Sequence, residues 1–201
     1  MAKPGDIIAH PVTGEQIVFL KTAAETNGEL LQLEMNVAPR GFIPGEHIHP
    51  YQAEYFKILA GTIGIRIAGE ATQLGVGQEL TVPAGTRHVW WNASDEAVKM
   101  ILEFRPALQT AEFFESFWGV VQDGNVNRKT GLPNLLWLAV IFRKYRREIR
   151  PTTPPPLVQM LVLGLLAPIA RLLGFRVPYP YPHEQEHPSR ARALAMQQDA
   201  Q

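Results

Sequence analysis

Residues 45–56 read GEHIHPYQAEYF. His47 and His49 stand one residue apart, and Glu54 follows five positions after the second histidine. On an extended strand the side chains at i and i+2 share a face, so both imidazoles point the same way. Pro50 permits a bend that can return the Glu54 carboxylate toward the same centre. A second stretch, GQELTVPAGTRHVWWN at residues 77–92, places Pro83 and Gly85 in a turn that delivers His88 on the strand after it. Three imidazoles and one carboxylate suit a divalent first-row ion, with iron(II) or manganese expected first and nickel, copper or zinc as other candidates. Four protein ligands on an octahedral ion leave two positions open.

Around these stretches the chain has the rhythm of a β-structure. DIIAH, EQIVFLKT, ELLQLEMNVAP, EYFKILAGTIGIRIAG, QELTVP, RHVWWN and AVKMILEFRP are short β-branched or aromatic runs separated by Gly, Pro, Asn or Asp. In LLQLEMNV, the residues Leu31, Leu33, Met35 and Val37 alternate with Gln32, Glu34 and Asn36, a period of two with one face buried. Pro39, Gly41, Pro44 and Gly45 then break that strand.

The spacing of the fixed residues resembles the two signatures of the cupins. The first is matched by Gly41, five residues, His47, one residue, His49, four residues, Glu54, six residues and Gly61. The second is matched by Gly77, five residues, Pro83, one residue, Gly85, two residues, His88, three residues and Asn92, with 15 residues between the two signatures. The resemblance covers roughly residues 5 to 106. It implies a mainly β fold, a small double-stranded β-helix (jelly-roll) barrel with the metal in its mouth, held by His47, His49, Glu54 and His88. By strand alternation Phe56 and Ile58 face the way Glu54 does, and Trp90 and Asn92 face the way His88 does. These four are expected to line an aromatic substrate pocket, with Asn92 better placed to bond neighbouring loops than to bind metal.

Bulk composition narrows the partners. Lys plus Arg and Asp plus Glu both total 19, so no net field selects nucleic acid. The two halves differ in charge: residues 1–107 hold 8 basic and 12 acidic side chains, residues 108–201 hold 11 and 7. Cysteine is absent, which excludes disulfides, zinc-thiolate sites and thiol catalysis. The first residues, MAKPGDIIAHPVTGEQ, lack the apolar core of a secretory signal, and a cytoplasmic protein is expected.

After Pro106 the period changes to a helical one, so the barrel domain is placed at 1–107 and a helical extension of three helices at 108–175. TAEFFESFWGVVQDG starts at a candidate cap, Thr110, and groups Phe113, Phe117, Val120 and Val121 on one face. LPNLLWLAVIFRKYRREIRP reads as a second helix, with Pro133 near its first turn and Pro151 ending it. LVQMLVLGLLAPIARLLGF reads as a third. Gln159, Pro168 and Arg171 argue against its spanning a bilayer, and packing on the barrel or on a partner subunit is expected, with a peripheral membrane role as the alternative. Residues 176–201, rich in proline and charge, are expected to form a flexible tail.

The functional expectation is a metal-dependent enzyme, dioxygenase-like or an isomerase or lyase, acting on a small organic molecule, in a homodimer. The alternative is a non-catalytic cupin that binds or senses a small molecule and reports through its extension. Tyr51, Gln52, Arg40 and Arg87 flank the motifs and are expected at the surface. Glu46 and Lys57 are expected to point away from the metal face, and His10, His183 and His187 have no ligand-like neighbours in sequence.

Overall fold

A computed structural model of the chain describes residues 1–43, 45–179 and 181. Pro44, and the tail from 182 onward with His183 and His187, lie outside the described residues. Among the described residues thirteen strands and three helices follow in chain order. One sheet has the order β1-β2-β3-β10-β5-β8, built from Ile7–Ala9, Glu15–Lys21, Leu31–Val37, Val98–Arg105, Ala53–Ala60 and Glu79–Val82. The other has the order β13-β4-β9-β6-β7, from Arg150–Pro151, His47–Ile48, His88–Asn92, Ile63–Ile67 and Glu70–Leu74. A short β11–β12 ribbon, Val126–Asn127 and Leu132–Pro133, stands apart.

The expected alternation of β3 is present: Leu31, Leu33, Met35 and Val37 are buried and the residues between them are not. The same period puts Phe56 and Ile58 of β5, Trp90 of β9, and Met100, Leu102 and Phe104 of β10 inside a common core between the sheets. Strand β7 has no counterpart among the sequence runs, because Glu70, Ala71, Thr72 and Gln73 are all exposed on a sheet edge and so carry no alternation. Gly61 adopts φ +74 in the β5–β6 turn, where an added Cβ would lie 2.9 Å from the Ala97 carbonyl oxygen.

The three expected helices are present with shifted ends. In α1 (Thr110–Gln122) the cap position is Gln109, and Thr110 is the first helical residue. Thr110 does not cap because its hydroxyl accepts from Gln52 Nε2 at 2.7 Å. The second helix is shorter than 132–151: α2 runs Leu135–Lys144. Asn134 sets its start, its side-chain oxygen accepting from the N–H groups of Leu136 and Trp137, both at 3.1 Å. Pro133 is therefore outside the helix, in β12. At the other end the chain turns after the buried Tyr145, and Arg150–Pro151 becomes β13, pairing with β4 in register Arg150↔Ile48 and Pro151↔His47. The extension thus completes a barrel sheet.

Helix α3 (Pro156–Leu172) packs on α2 through Ala167 and Ala170 and leaves Leu157, Met160, Leu161, Leu165, Leu172 and Leu173 exposed. Among the described residues no helix is long and apolar enough to cross a membrane. The start of the expected tail is tied down without forming a helix or strand. Tyr179 N–H donates to Ser116 Oγ at 3.0 Å, and the Tyr181 hydroxyl accepts from Ala9 N–H at 3.1 Å.

Candidate metal centre

Strand pairing brings the histidines together. The register His47↔His88 between β4 and β9 sets those imidazoles side by side, with ring centroids 4.5 Å apart. His49 ends the same short strand face, and its ring centroid is 5.0 Å from that of His47. Glu54 enters from the opposite sheet on β5. Each of the four residues offers a ligand atom within 4.8 Å of the others, and all four side chains are buried. The turn predicted at Pro83–Gly85 has a further role: Gly85 N–H, at φ +76, donates to the His49 carbonyl at 2.8 Å and ties the two motifs to each other.

The hydrogen bonds on the far side of each ring decide what faces the centre. Nδ1 of His47 lies 3.1 Å from the Gly45 carbonyl, Nδ1 of His88 lies 3.0 Å from the Thr86 carbonyl, and Nδ1 of His49 lies 2.6 Å from the Glu148 carbonyl. A carbonyl only accepts, so each Nδ1 carries a proton and each Nε2 faces the centre, where it can share a proton with Glu54 or offer a lone pair to a metal ion. Glu54 Oε2 lies 2.7 Å from His88 Nε2 and 3.2 Å from His49 Nε2. A carboxylate at those distances from ring nitrogens needs a positive charge between them, a proton on the imidazole or a metal ion. A divalent ion meets that demand with the residues present, and the backbone carbonyls supply the outer contacts that fix ring orientation.

The electrostatics agree. Burial, with the neighbouring His49 and His88, pushes His47 down to about 3, so it is neutral and able to donate a lone pair. Burial opposes ionisation of Glu54, but the His49 and His88 imidazoles outweigh it and hold the carboxyl well below the usual carboxylate range. Burial would lower His88, but its hydrogen bond to Glu54 and the carboxylate charge raise it instead, a sign of how strongly the centre favours positive charge.

A cavity of about 360 Å³ opens over the centre between barrel and extension. Its aromatic wall is continuous: His49 stacks edge-on with Phe104 at 5.2 Å, Phe104 lies 6.0 Å from Phe114, and Phe114 lies 5.8 Å from Trp118. Of the four residues expected to line it, Trp90 does. Phe56 and Ile58 are buried in the barrel core and are not among the lining residues. Asn92 is likewise buried away from the cavity, where its Nδ2 reaches the carbonyls of Val37, Ala38 and Glu96. Glu46, expected to point away, lies at the rim and accepts from Thr152 Oγ1 at 3.0 Å. Lys57 does point outward, to Glu79. Gln52, expected at the surface, is fully buried, while Tyr51, Arg40 and Arg87 are exposed.

Neither Glu148 nor Glu15 is singled out from the sequence, and His10 is set aside there for want of ligand-like neighbours. Glu148 acts through a backbone carbonyl, which no side-chain pattern encodes. Glu15 and His10 are buried and line the far part of the cavity.

Residues 33–104, which carry all four ligands, match the model of the cupin domain. The barrel is a cupin domain. Over 61 residues, 30% of this chain and 40% of the relative, the cupin is 33% identical to the polyketide synthase CurC of Streptomyces cyaneus. Over 52 residues, 24% of this chain and 23% of the relative, it is 50% identical to the probable oxidoreductase virH of Hypocrea virens. The matched stretches thus span less than half the length of these relatives. Among solved structures it is similar to a predicted oxalate decarboxylase from Thermotoga maritima (17% identity, 46% of this chain and 80% of that one, TM-score 0.44). It is also similar to KdgF from Halomonas (17% identity, 49% of this chain and 85% of that one, TM-score 0.43).

Proposed function

We propose that this cupin is a divalent-metal-dependent enzyme, oxygenase-like or an isomerase or lyase, acting on a small and largely apolar organic molecule held in the cavity. The observation that carries the reading is the convergence of three Nδ1-protonated imidazoles and an ionised carboxylate at the wall of a cavity lined by aromatic rings. A bound ion, iron(II) or manganese first, would supply Lewis acidity toward a substrate oxygen and, if iron(II), one-electron chemistry with dioxygen. The chain's own part is positional. His47, His49 and His88 present fixed lone pairs, Glu54 adds a charge that survives neutral pH, and Phe104, Phe114 and Trp118 exclude water from the space beside them. The match to a probable oxidoreductase supports the redox branch.

The test is elemental analysis of the purified protein followed by oxygen uptake and product analysis with a panel of small diketones and phenols on iron(II)- and manganese-loaded protein. Metal-dependent turnover of a panel member is expected. Binding that shifts the melting temperature with no turnover under either metal would support the sensing alternative.

We further propose that a second copy of the chain covers the exposed face of α3. Residues 156–170 carry no charged side chain, so the face brings no like-charge repulsion when apposed to itself across a two-fold axis. Its row of exposed leucines is larger than isolated surface residues account for. A dimer by light scattering that Leu161→Glu converts to monomer supports this, and a wild-type monomer contradicts it.

A further inference from the structure

The cavity beside the metal centre carries fixed charge of one sign. Among the described residues that line it, the formally charged side chains are Glu15, Glu46, Glu54 and Glu148, and none is a lysine or arginine. Three of these carboxyls are committed elsewhere. Glu54 belongs to the metal centre. Glu15 accepts from Thr13 Oγ1 at 2.6 Å, and burial pushes it up to about 7. Glu148 is 4% exposed, its Oε1 accepts from the Gln109 N–H at 3.3 Å, and its Oε2 is sealed in the interior. The fourth, Glu46, is only half-buried where it lines the cavity.

Strand pairing fixes Glu46 at the mouth. It directly precedes His47, so its Cα stands about 3.8 Å from that of a residue of the centre. The register Pro151↔His47 between β13 and β4 sets Thr152 against it. The Thr152 N–H donates to the Glu46 carbonyl at 3.0 Å, and the Thr152 hydroxyl reaches that carbonyl at 3.2 Å and Glu46 Oε2 at 3.0 Å. Oε1 takes no hydrogen bond from the described residues. Thr153 and Pro154, the next residues along, are exposed and also line the cavity, so this is where it opens to solvent. One oxygen of Glu46 is thus held by the protein and the other is left for an occupant of the mouth. Gln159, which lines the same region, spends its Nε2 on the Pro151 and Pro154 carbonyls at 2.8 and 2.6 Å, so the atom it has left is an acceptor too.

We infer that Glu46 sets the charge of the ligand: the cavity takes a neutral or cationic ring compound with an N–H or O–H donor at the mouth, and rejects one with a carboxylate or phosphate there. A carboxylate oxygen only accepts, so it pairs with a donor. It repels a second anion, and the apolar wall around the mouth screens that repulsion less than water would. No lysine or arginine among the described lining residues offsets it. The inference rests on the proposed function in taking the cavity as the ligand site, and it requires no turnover.

The experiment compares three probes that share a naphthol ring, 6-hydroxy-2-naphthamide, 6-hydroxy-2-naphthoate and 6-(aminomethyl)-2-naphthol, by calorimetry on the full chain at neutral pH, both metal-loaded and after chelation. A carboxylate drawn to the ion binds tightly only in the loaded protein, so the chelated protein reads the preference of the cavity itself. There the wild type is expected to bind the amide and the amine about tenfold more tightly than the naphthoate. Glu46→Gln keeps an acceptor for Thr152. It is expected to tighten the naphthoate about threefold, to weaken the amine by a similar factor and to leave the amide within about twofold. A naphthoate bound as tightly as the amide by the chelated wild type, relative affinities unchanged in Glu46→Gln, or no binding of any probe would overturn the inference. So would a parallel fall in all three affinities together with a lower melting temperature, which would assign Glu46 a structural role. Loss of metal or of turnover with the probe preferences intact would count against the proposed function and leave this inference standing.

Discussion

The carbonyl oxygen of Glu148 accepts the Nδ1–H of His49 at 2.6 Å, so a residue of the helical extension orients a ligand that belongs to the barrel. The extension reaches that position through β13, and the strand is held further by Thr152, whose N–H and hydroxyl both bond the Glu46 carbonyl, at 3.0 and 3.2 Å. The extension therefore supports the candidate metal centre.

Thr152→Pro removes that N–H and hydroxyl at once while leaving the four ligands in place. Loosening an outer contact to a metal-bound histidine typically costs 10- to 100-fold in metal affinity. Metal titration of Thr152→Pro should show a loss of about tenfold with the barrel's circular dichroism unchanged. An affinity equal to wild type would mean that His49 is held well enough without β13.

Gln52 joins the barrel to the start of α1. Its Nε2 lies 2.8 Å from the Pro106 carbonyl, 3.1 Å from the Ala107 carbonyl and 2.7 Å from Thr110 Oγ1, at a position with no solvent exposure. Gln52→Ala leaves these acceptors buried and unpaired, and urea unfolding should report a loss of about 2–4 kcal/mol.

Glu15, a buried carboxyl bonded to Thr13, carries a stability signature. Burial pushes its carboxyl up to about 7 in the folded chain from an ordinary 4.5, so between those pH values the folded state binds more protons than the unfolded one. Stability is then fully present below about 4.5 and is lost as pH rises through about 7, a change of about 3 kcal/mol from this group. Glu15→Gln removes the titration, so the difference in unfolding free energy between variant and wild type should grow in the variant's favour from pH 5 to pH 8. A pH-independent difference would show that the carboxyl is not held in this protonated form.

Chelation should destabilise the fold, because the centre then retains a buried carboxylate facing imidazole nitrogens without the ion. At free metal about 100 times the dissociation constant, binding adds about 2.7 kcal/mol, and the melting temperature should fall by several degrees on its removal.

The clustering of the four residues was legible because strand alternation puts His47 and His49 on one face, Pro50 permits the bend that returns Glu54, and the Pro83–Gly85 turn delivers His88. The same alternation was over-read for Phe56 and Ile58. It assigns a face, but cannot say how deep along the strand the cavity ends and the packed core begins. Arg150–Pro151 resembled the end of a helix, and only its pairing with a distant strand makes it β13. The contact from Glu148 is made by a backbone atom and has no sequence signal. Glu15 had one: it shares a period of two with Ile17 and Phe19, which marks a carboxylate on a buried face.

On the proposed function, His47, His49, Glu54 and His88 hold one divalent ion. The most direct measurement is metal stoichiometry by elemental analysis of wild type, His49→Ala and His88→Ala after loading with iron(II) or manganese and removal of excess. About one equivalent is expected in the wild type and background in both variants. A metal-free wild type after loading, or variants that retain the wild-type content, would contradict it.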